Sequence, residues 1–334
     1  MSTRIMRAPQ ISADARTRAA PMLATLERRS QAAVHKAGLH LDDPKRYPIA
    51  QGSLEARLVE MAERAPAARR QRLAGASARR AAVDFGAPID FASARPVTDQ
   101  IGLPLFDWSR LLELVQGATN VTATPSTTLE LRLHSVRCVK DSREWGKDEI
   151  DLGAVVSVTE DTAGGATKGV YAKDIAPFRV GSFKKGQLID LHRRPFARLP
   201  VESGTFPKVM SATLMMVEKD FSDQKWLLDA LRKAKEWAEK ELSKLVADKI
   251  GKGLLKDALA VAIKIGLDAI LKPVLGWVAD DPFDPATVTL LLPGADAVGD
   301  GGGRTTPALT LDTYIKGGRD PHAHYVVTYD WNLV

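Results

Sequence analysis

The 334-residue chain has a single cysteine, Cys138, and few aromatic residues, 6% in all. One thiol excludes an internal disulfide framework, and its place in an alternating apolar segment points to a buried side chain rather than a nucleophile. A reducing cytoplasm fits that usage. Export by a route without a Sec signal is the alternative, because residues 1–23 carry Arg4, Arg7, Arg16 and Arg18 but no apolar run of the length such a signal needs. Enzymatic signatures are also missing: there is no Gly-x-Ser-x-Gly, His-Glu-x-x-His, phosphate loop or dinucleotide fingerprint. Gly251-Lys252-Gly253 follows a helical pattern rather than a strand, which rules it out as a phosphate loop. The lack points away from an enzyme, although catalytic groups scattered over the chain would leave no such signature.

Charge is unevenly spread. Residues 1–110 hold 18 Lys and Arg against 11 Asp and Glu, while the remainder holds 29 against 30. The densest basic run is Arg69, Arg70, Arg72, Arg79 and Arg80. No aromatic side chain interleaves with it and no finger, RNP or helix-turn-helix pattern surrounds it, so a solvated helix face is expected there and not a nucleic-acid site. The Ala and Arg bias continues past residue 90, which fits high-GC bacterial coding better than an organelle transit peptide.

The front third reads as small helices. Met22, Leu26, Ala33 and Ala37 space a helix over 13–37 that should end near Gly38, and Leu54, Leu58 and Met61 space another over 53–64. With few large apolar residues, this arm needs a surface to lie on. Pro88, Pro96, Pro104 and Pro125 then punctuate a connector whose one helical candidate is 108–115.

After Pro125 the period becomes two. Leu129, Leu131 and Leu133 alternate with Glu130, Arg132 and His134, and further strands are predicted over 150–158, 170–180, 187–192, 209–217 and 287–292. In the last strand Tyr325, Val327, Tyr329 and Trp331 share a face. Between strands lies the longest helical signal. Over 226–250 an apolar stripe of Leu227, Leu231, Ala234, Ala238, Leu242, Leu245 and Ile250 faces a polar side of Lys233, Lys235, Glu236, Glu239, Lys240 and Lys244, with Asp223 as the expected cap. A second helix over 254–271 is apolar almost all round, through Leu254, Leu255, Leu259, Ile263, Leu267 and Ile270. Its eighteen positions span roughly 27 Å at about 1.5 Å each, near a bilayer core. Lys264 and Asp268 argue against a span, since a charge near a helix centre costs roughly 2.5–3.5 kcal/mol. The expected fold is α+β: an antiparallel β-sandwich over 126–334 with a helical pair inserted at 222–278, preceded by a helical arm and connector over 1–125.

Acidic residues gather at three expected turns. They are Asp141, Asp148 and Asp151 with Glu144 and Glu149; Glu218 and Asp220; and Asp280 and Asp281 with Asp284. Converging carboxylates of this kind suit calcium. Through Lys147-Asp148-Glu149-Ile150 and Glu218-Lys219-Asp220, residues 128–334 resemble a C2-like domain, although the helical insertion and the lack of alternating Asp ligands within one loop depart from that family. The resemblance implies calcium held by Asp141, Asp148, Asp151, Glu218, Asp220, Asp280 and Asp281, and a phospholipid surface as partner. His322 and His324, two apart near the last strand, could share a metal with His134 or His192. The leading expectation is a non-enzymatic binding or assembly protein whose arm docks on a protein partner or another copy. The alternative is a membrane-active effector or toxin acting through Leu254, Leu255, Leu259, Ile263, Lys264, Leu267 and Ile270, and a third is a calcium-dependent lipid-binding module.

Overall fold

The computed structural model describes residues 6, 8, 13–65, 67–79, 85, 88–104, 128–142, 148–161, 167–201, 206–218, 224–249, 255–278, 283–295, 297, 303–317 and 320–334. Three helices come first, α1 (Ala13–Asp42), α2 (Leu54–Glu63) and α3 (Ala67–Arg79). Strands β1 (Thr128–Lys140), β2 (Asp148–Asp161), β3 (Thr167–Phe183), β4 (Leu188–Pro200) and β5 (Lys208–Glu218) follow. The helical pair α4 (Gln224–Lys249) and α5 (Leu255–Val278) then precedes β6 (Ala286–Leu292), β7 (Leu309–Gly317) and β8 (Asp320–Leu333). The strands form two antiparallel four-stranded sheets, ordered β4-β1-β8-β7 and β3-β2-β5-β6. This is the α+β sandwich with a helical insertion that the periodicity predicts.

Between the sheets lies one core. Leu129, Leu131 and Leu133 of β1 and Tyr325, Val327, Tyr329 and Trp331 of β8 meet Leu152, Val156, Met210, Leu214 and Leu290 from the second sheet. Tyr325 sits edge-on to Phe183 and Phe283, with ring centres 5.3 and 5.6 Å away. The alternation of β1 slips at His134, where the register shifts by one residue against β8 and by two against β4, so that Val136 and Cys138 point inward instead of continuing the odd-numbered series.

A second core covers the other side of β3-β2-β5-β6. Val155, Val209, Met215, Val217 and Leu291 face a helical layer in which α4 and α5 pack on the sheet and α1 packs on α5. The arm therefore lies on the helical pair of its own chain. Its seams are stitched by side-chain hydrogen bonds: Ser30 Oγ donates to the Ile270 carbonyl at 2.6 Å, Trp226 Nε1 to that of Met61 at 3.2 Å and Trp277 Nε1 to that of Leu73 at 3.1 Å. Lys36 is buried and donates to the carbonyls of Ser93 and Arg95 at 2.6 and 2.9 Å, while Glu55 accepts from the Val97 amide at 2.7 Å.

Several boundaries differ from the sequence expectation. Helix α1 runs through Gly38 to Asp42, and α5 runs through Pro273 to Val278, because Val274, Leu275 and Trp277 are buried and their packing outweighs the cost of an interior proline. Strand β4 extends to Pro200, and β7 was not expected. Asp223, Gly251-Lys252-Gly253 and the helical candidate at 108–115 lie outside the described residues.

Helices α4 and α5 come close at Gly266, where a methyl group would sit 2.6 Å from Leu242 Cδ2. Gly266→Val should lower stability by about 1–3 kcal/mol through overpacking, despite the better helix propensity of valine. A denaturant midpoint equal to that of the parent would contradict this close approach.

Candidate functional site

Register places the strand ends that flank the three acidic segments at one end of β3-β2-β5-β6, since Ile150 pairs with Glu218 and Leu214 with Ala286. The described carboxylates there are engaged by protein groups. Asp148 accepts from the Ser142 amide and hydroxyl, both at 2.7 Å, and from Tyr325 Oη at 2.6 Å. Burial, with Asp148 alongside, drives the Tyr325 phenol far above its usual value, which keeps it a donor. Asp141 accepts from the Lys185 amide at 3.2 Å, and Asp151 lies 3.7 Å from Arg179. Among the described residues no three His, Cys, Asp or Glu side chains converge as metal ligands would. Asp220, Asp280 and Asp281 lie outside those residues, as does the side chain of Glu218.

Of the proposed membrane set, Ile263, Leu267 and Ile270 are buried in the core shared with α1. Leu254 and the side chains of Leu255, Leu259 and Lys264 lie outside the described residues. No described helix is long and apolar enough to cross a membrane. In the basic run, Arg69 is not on a solvated face: it is buried, with its guanidinium 5.0 Å from the centre of the Trp226 ring. Arg70 and Arg72 are exposed, whereas Arg80 and the side chain of Arg79 lie outside the described residues.

The histidines whose side chains are described do not gather. His324 Nε2 is 2.8 Å from Asp312 and its ring stacks on Tyr314 at 4.3 Å, His192 Nδ1 is 3.4 Å from Asp190, and His134 Nε2 is 2.8 Å from Asp330. The side chain of His322 lies outside the described residues. Asp330, only 2% exposed, is the hub of the outer side of β4-β1-β8-β7, because Arg132 forks both its oxygens at 2.8 and 2.7 Å. The bulge at His134 aims that imidazole at the same carboxylate.

The most concentrated chemistry is a group that the periodicity of α4 assigned to the solvent side. Lys235, 1% exposed, donates from Nζ to Ser157 Oγ at 2.5 Å, Ser211 Oγ at 2.5 Å and Glu239 Oε1 at 2.6 Å. Both hydroxyls also reach Glu239 Oε1, at 2.6 and 2.7 Å. Ser157 and Ser211 are register partners on β2 and β5, so the two strands present paired hydroxyls to one turn of helix. Burial pulls the Lys235 ammonium below its usual value, and Glu239 opposes that pull. A serine beside a lysine with a lowered pKa is the chemistry of an activated nucleophile, yet all four side chains lie under the helix with no open side for a substrate. The arrangement acts as a seat for α4. Its sequence signal was the run of hydroxyls at alternate positions (Ser157 and Thr159, Ser211 and Thr213, Thr287 and Thr289) on strands otherwise apolar on both sides.

Comparisons with protein-family models, with curated proteins and with solved structures give no match to this chain.

Burial alone would raise the Asp330 carboxyl, but the hydrogen bonds from Arg132 and His134 outweigh it and hold the group below its ordinary value. Its stabilisation is therefore fully present above the unfolded carboxylate value of about 3.9 and is lost as pH falls through the lower folded value. Acid denaturation profiles should show that loss, and Asp330→Asn should remove this component. A variant profile superimposable on that of the parent would contradict the assignment.

Proposed function

We propose that the protein is a non-enzymatic assembly module that associates with a second copy of itself through the open side of β4-β1-β8-β7. One observation carries this. Of the four sheet faces, two close on each other and a third lies under the helices, while the exposed large apolar side chains within described strands, Val139 and Leu188, both belong to the fourth. Leu188 pairs with the outward Arg137 across β4 and β1. Around them Arg137 and Arg193 are exposed beside Asp190 on β1 and β4, Arg198 is paired with Glu130 at 2.8 Å, and Asp312 is exposed on β7. A two-fold rotation about an axis along the strands lays Arg137 and Arg193 towards Asp312 of the partner, as a self-complementary dimer requires. With its apolar side taken up by α5, the arm braces the module from behind instead of supplying the contact.

Light scattering coupled to sizing tests this proposal. The parent should pass from monomer to dimer as concentration rises, and Val139→Asp with Leu188→Asp, at two exposed sites, should remain a folded monomer. A parent that stays monomeric at every concentration, or a variant that dimerises equally, would overturn it.

A further inference from the structure

We propose that α1 and α2 form a peptide-binding cradle whose resident ligand is the chain's own segment 88–104. In trans the cradle takes a segment of a partner protein that carries two aliphatic side chains four residues apart and a side-chain hydrogen-bond donor beside the first. The inference is independent of how copies of the chain associate.

Segment 88–104 lies on the helices as a bound peptide does. It is outside both sheets, and its one regular element is a short 3-10 turn at Val97–Asp99. Only Val97, Thr98 and Ile101 are buried, with Val97 and Ile101 entering the helical core, while its other residues are exposed or half-buried. Phe91 adds an edge contact to the His35 ring of α1, with ring centres 4.9 Å apart. The segment also has a shape of its own. Gln100 takes the Asp90 amide on Oε1 at 2.9 Å and returns Nε2 to the Asp90 carbonyl at 3.1 Å, so the stretch between them closes on itself. A stretch with so few buried anchors can leave as a unit, without unfolding the helices beneath it.

The cradle reads main chain. From α1, Arg29 Nε donates to the Ile101 carbonyl at 2.8 Å, and Lys36 Nζ donates to the carbonyls of Ser93 and Arg95 at 2.6 and 2.9 Å. From α2, Glu55 Oε1 accepts the Val97 amide at 2.7 Å. These bonds go to peptide groups, which every sequence carries, while the two aliphatic anchors select the side chains. Burial pulls the Lys36 ammonium and the Arg29 guanidinium below their usual values, so both regain hydration when the segment lifts, which lowers the cost of release. Glu55 is 1% exposed, and its Oε2 takes no hydrogen bond among the described residues. The cradle thus holds one acceptor that its own segment leaves unused. A partner segment that brings a hydroxyl or amide to Oε2 satisfies it, and that contact offsets the advantage of the tethered segment, whose effective concentration is of millimolar order.

The probe is a fluorescein-labelled peptide of residues 88–104, added to the full chain. Val97→Ala with Ile101→Ala loosens the chain's own segment and leaves the cradle residues in place, so this variant should bind the peptide at least about tenfold more tightly than the parent does. Adding Lys36→Met should remove that binding, and so should the two alanines placed in the peptide instead. Hydrogen exchange on the parent needs no variant: excess unlabelled peptide should speed exchange of the amides at 97–101 while those of α1 stay protected. Equal binding by parent and variant, binding by neither, binding that survives Lys36→Met, or exchange at 97–101 unmoved by the peptide would overturn the cradle. Binding that weakens as the chain itself is concentrated would mean that the segment of a second copy fills the cradle, and would overturn the partner assigned here.

Discussion

A sheet buried on both faces must satisfy two different neighbours with alternate residues of the same strands, and that constraint on β3-β2-β5-β6 shapes the whole molecule. The even-numbered positions of β2 and β5 close the sandwich core with large aliphatics. The odd-numbered positions must hold a helical layer, and they mix Val155, Val209, Met215 and Val217 with hydroxyls. Hydroxyls buried under a helix require partners, and α4 supplies them through Lys235 and Glu239. The helical layer is thereby fixed in register on the sheet by one charged cluster, with apolar contacts around it.

Burying an ion pair is an expensive way to hold two layers together, because desolvation offsets most of the attraction. Its effect is specificity: only one placement of α4 brings Lys235 over both Ser157 and Ser211. From that placement the rest of the layer follows. Leu242 meets Gly266 of α5, Ile270 accepts from Ser30 of α1, and Trp226 reaches the end of α2. Among the described residues no helix covers the outer side of the opposite sheet, and its polar side chains pair among themselves, with Arg132 and His134 on Asp330 and Arg198 on Glu130 at 2.8 Å.

The sandwich was legible because β8 and the first half of β1 alternate, as strands with one wet side do, and the helical pair was legible from its period. Burial on the polar side of α4 was not. A helical wheel separates Leu227, Leu231, Ala234, Ala238 and Leu242 from Lys235 and Glu239 correctly, but it equates polar with solvent-facing. The equation fails when the surface opposite is itself hydroxylated, which only the pairing of β2 with β5 reveals. Arg69 misled in the same way, since its aromatic partner Trp226 is far away in sequence. Strand β7 was missed because its alternation, Leu309, Leu311 and Thr313, is short and partly polar, although it pairs with the strand that follows it in sequence, Gly317 with Asp320.

The joining of layers through one charged seat is tested most directly by a double-mutant cycle on Lys235 and Glu239, with stability measured by denaturant unfolding. Lys235→Met and Glu239→Leu should each cost about 3–5 kcal/mol by leaving the other charge buried alone, and the double variant should return to within about 1 kcal/mol of the parent or exceed it. Losses that simply add would mean that the two side chains are not coupled, and the pair would not be what fixes the placement of α4 on the sheet.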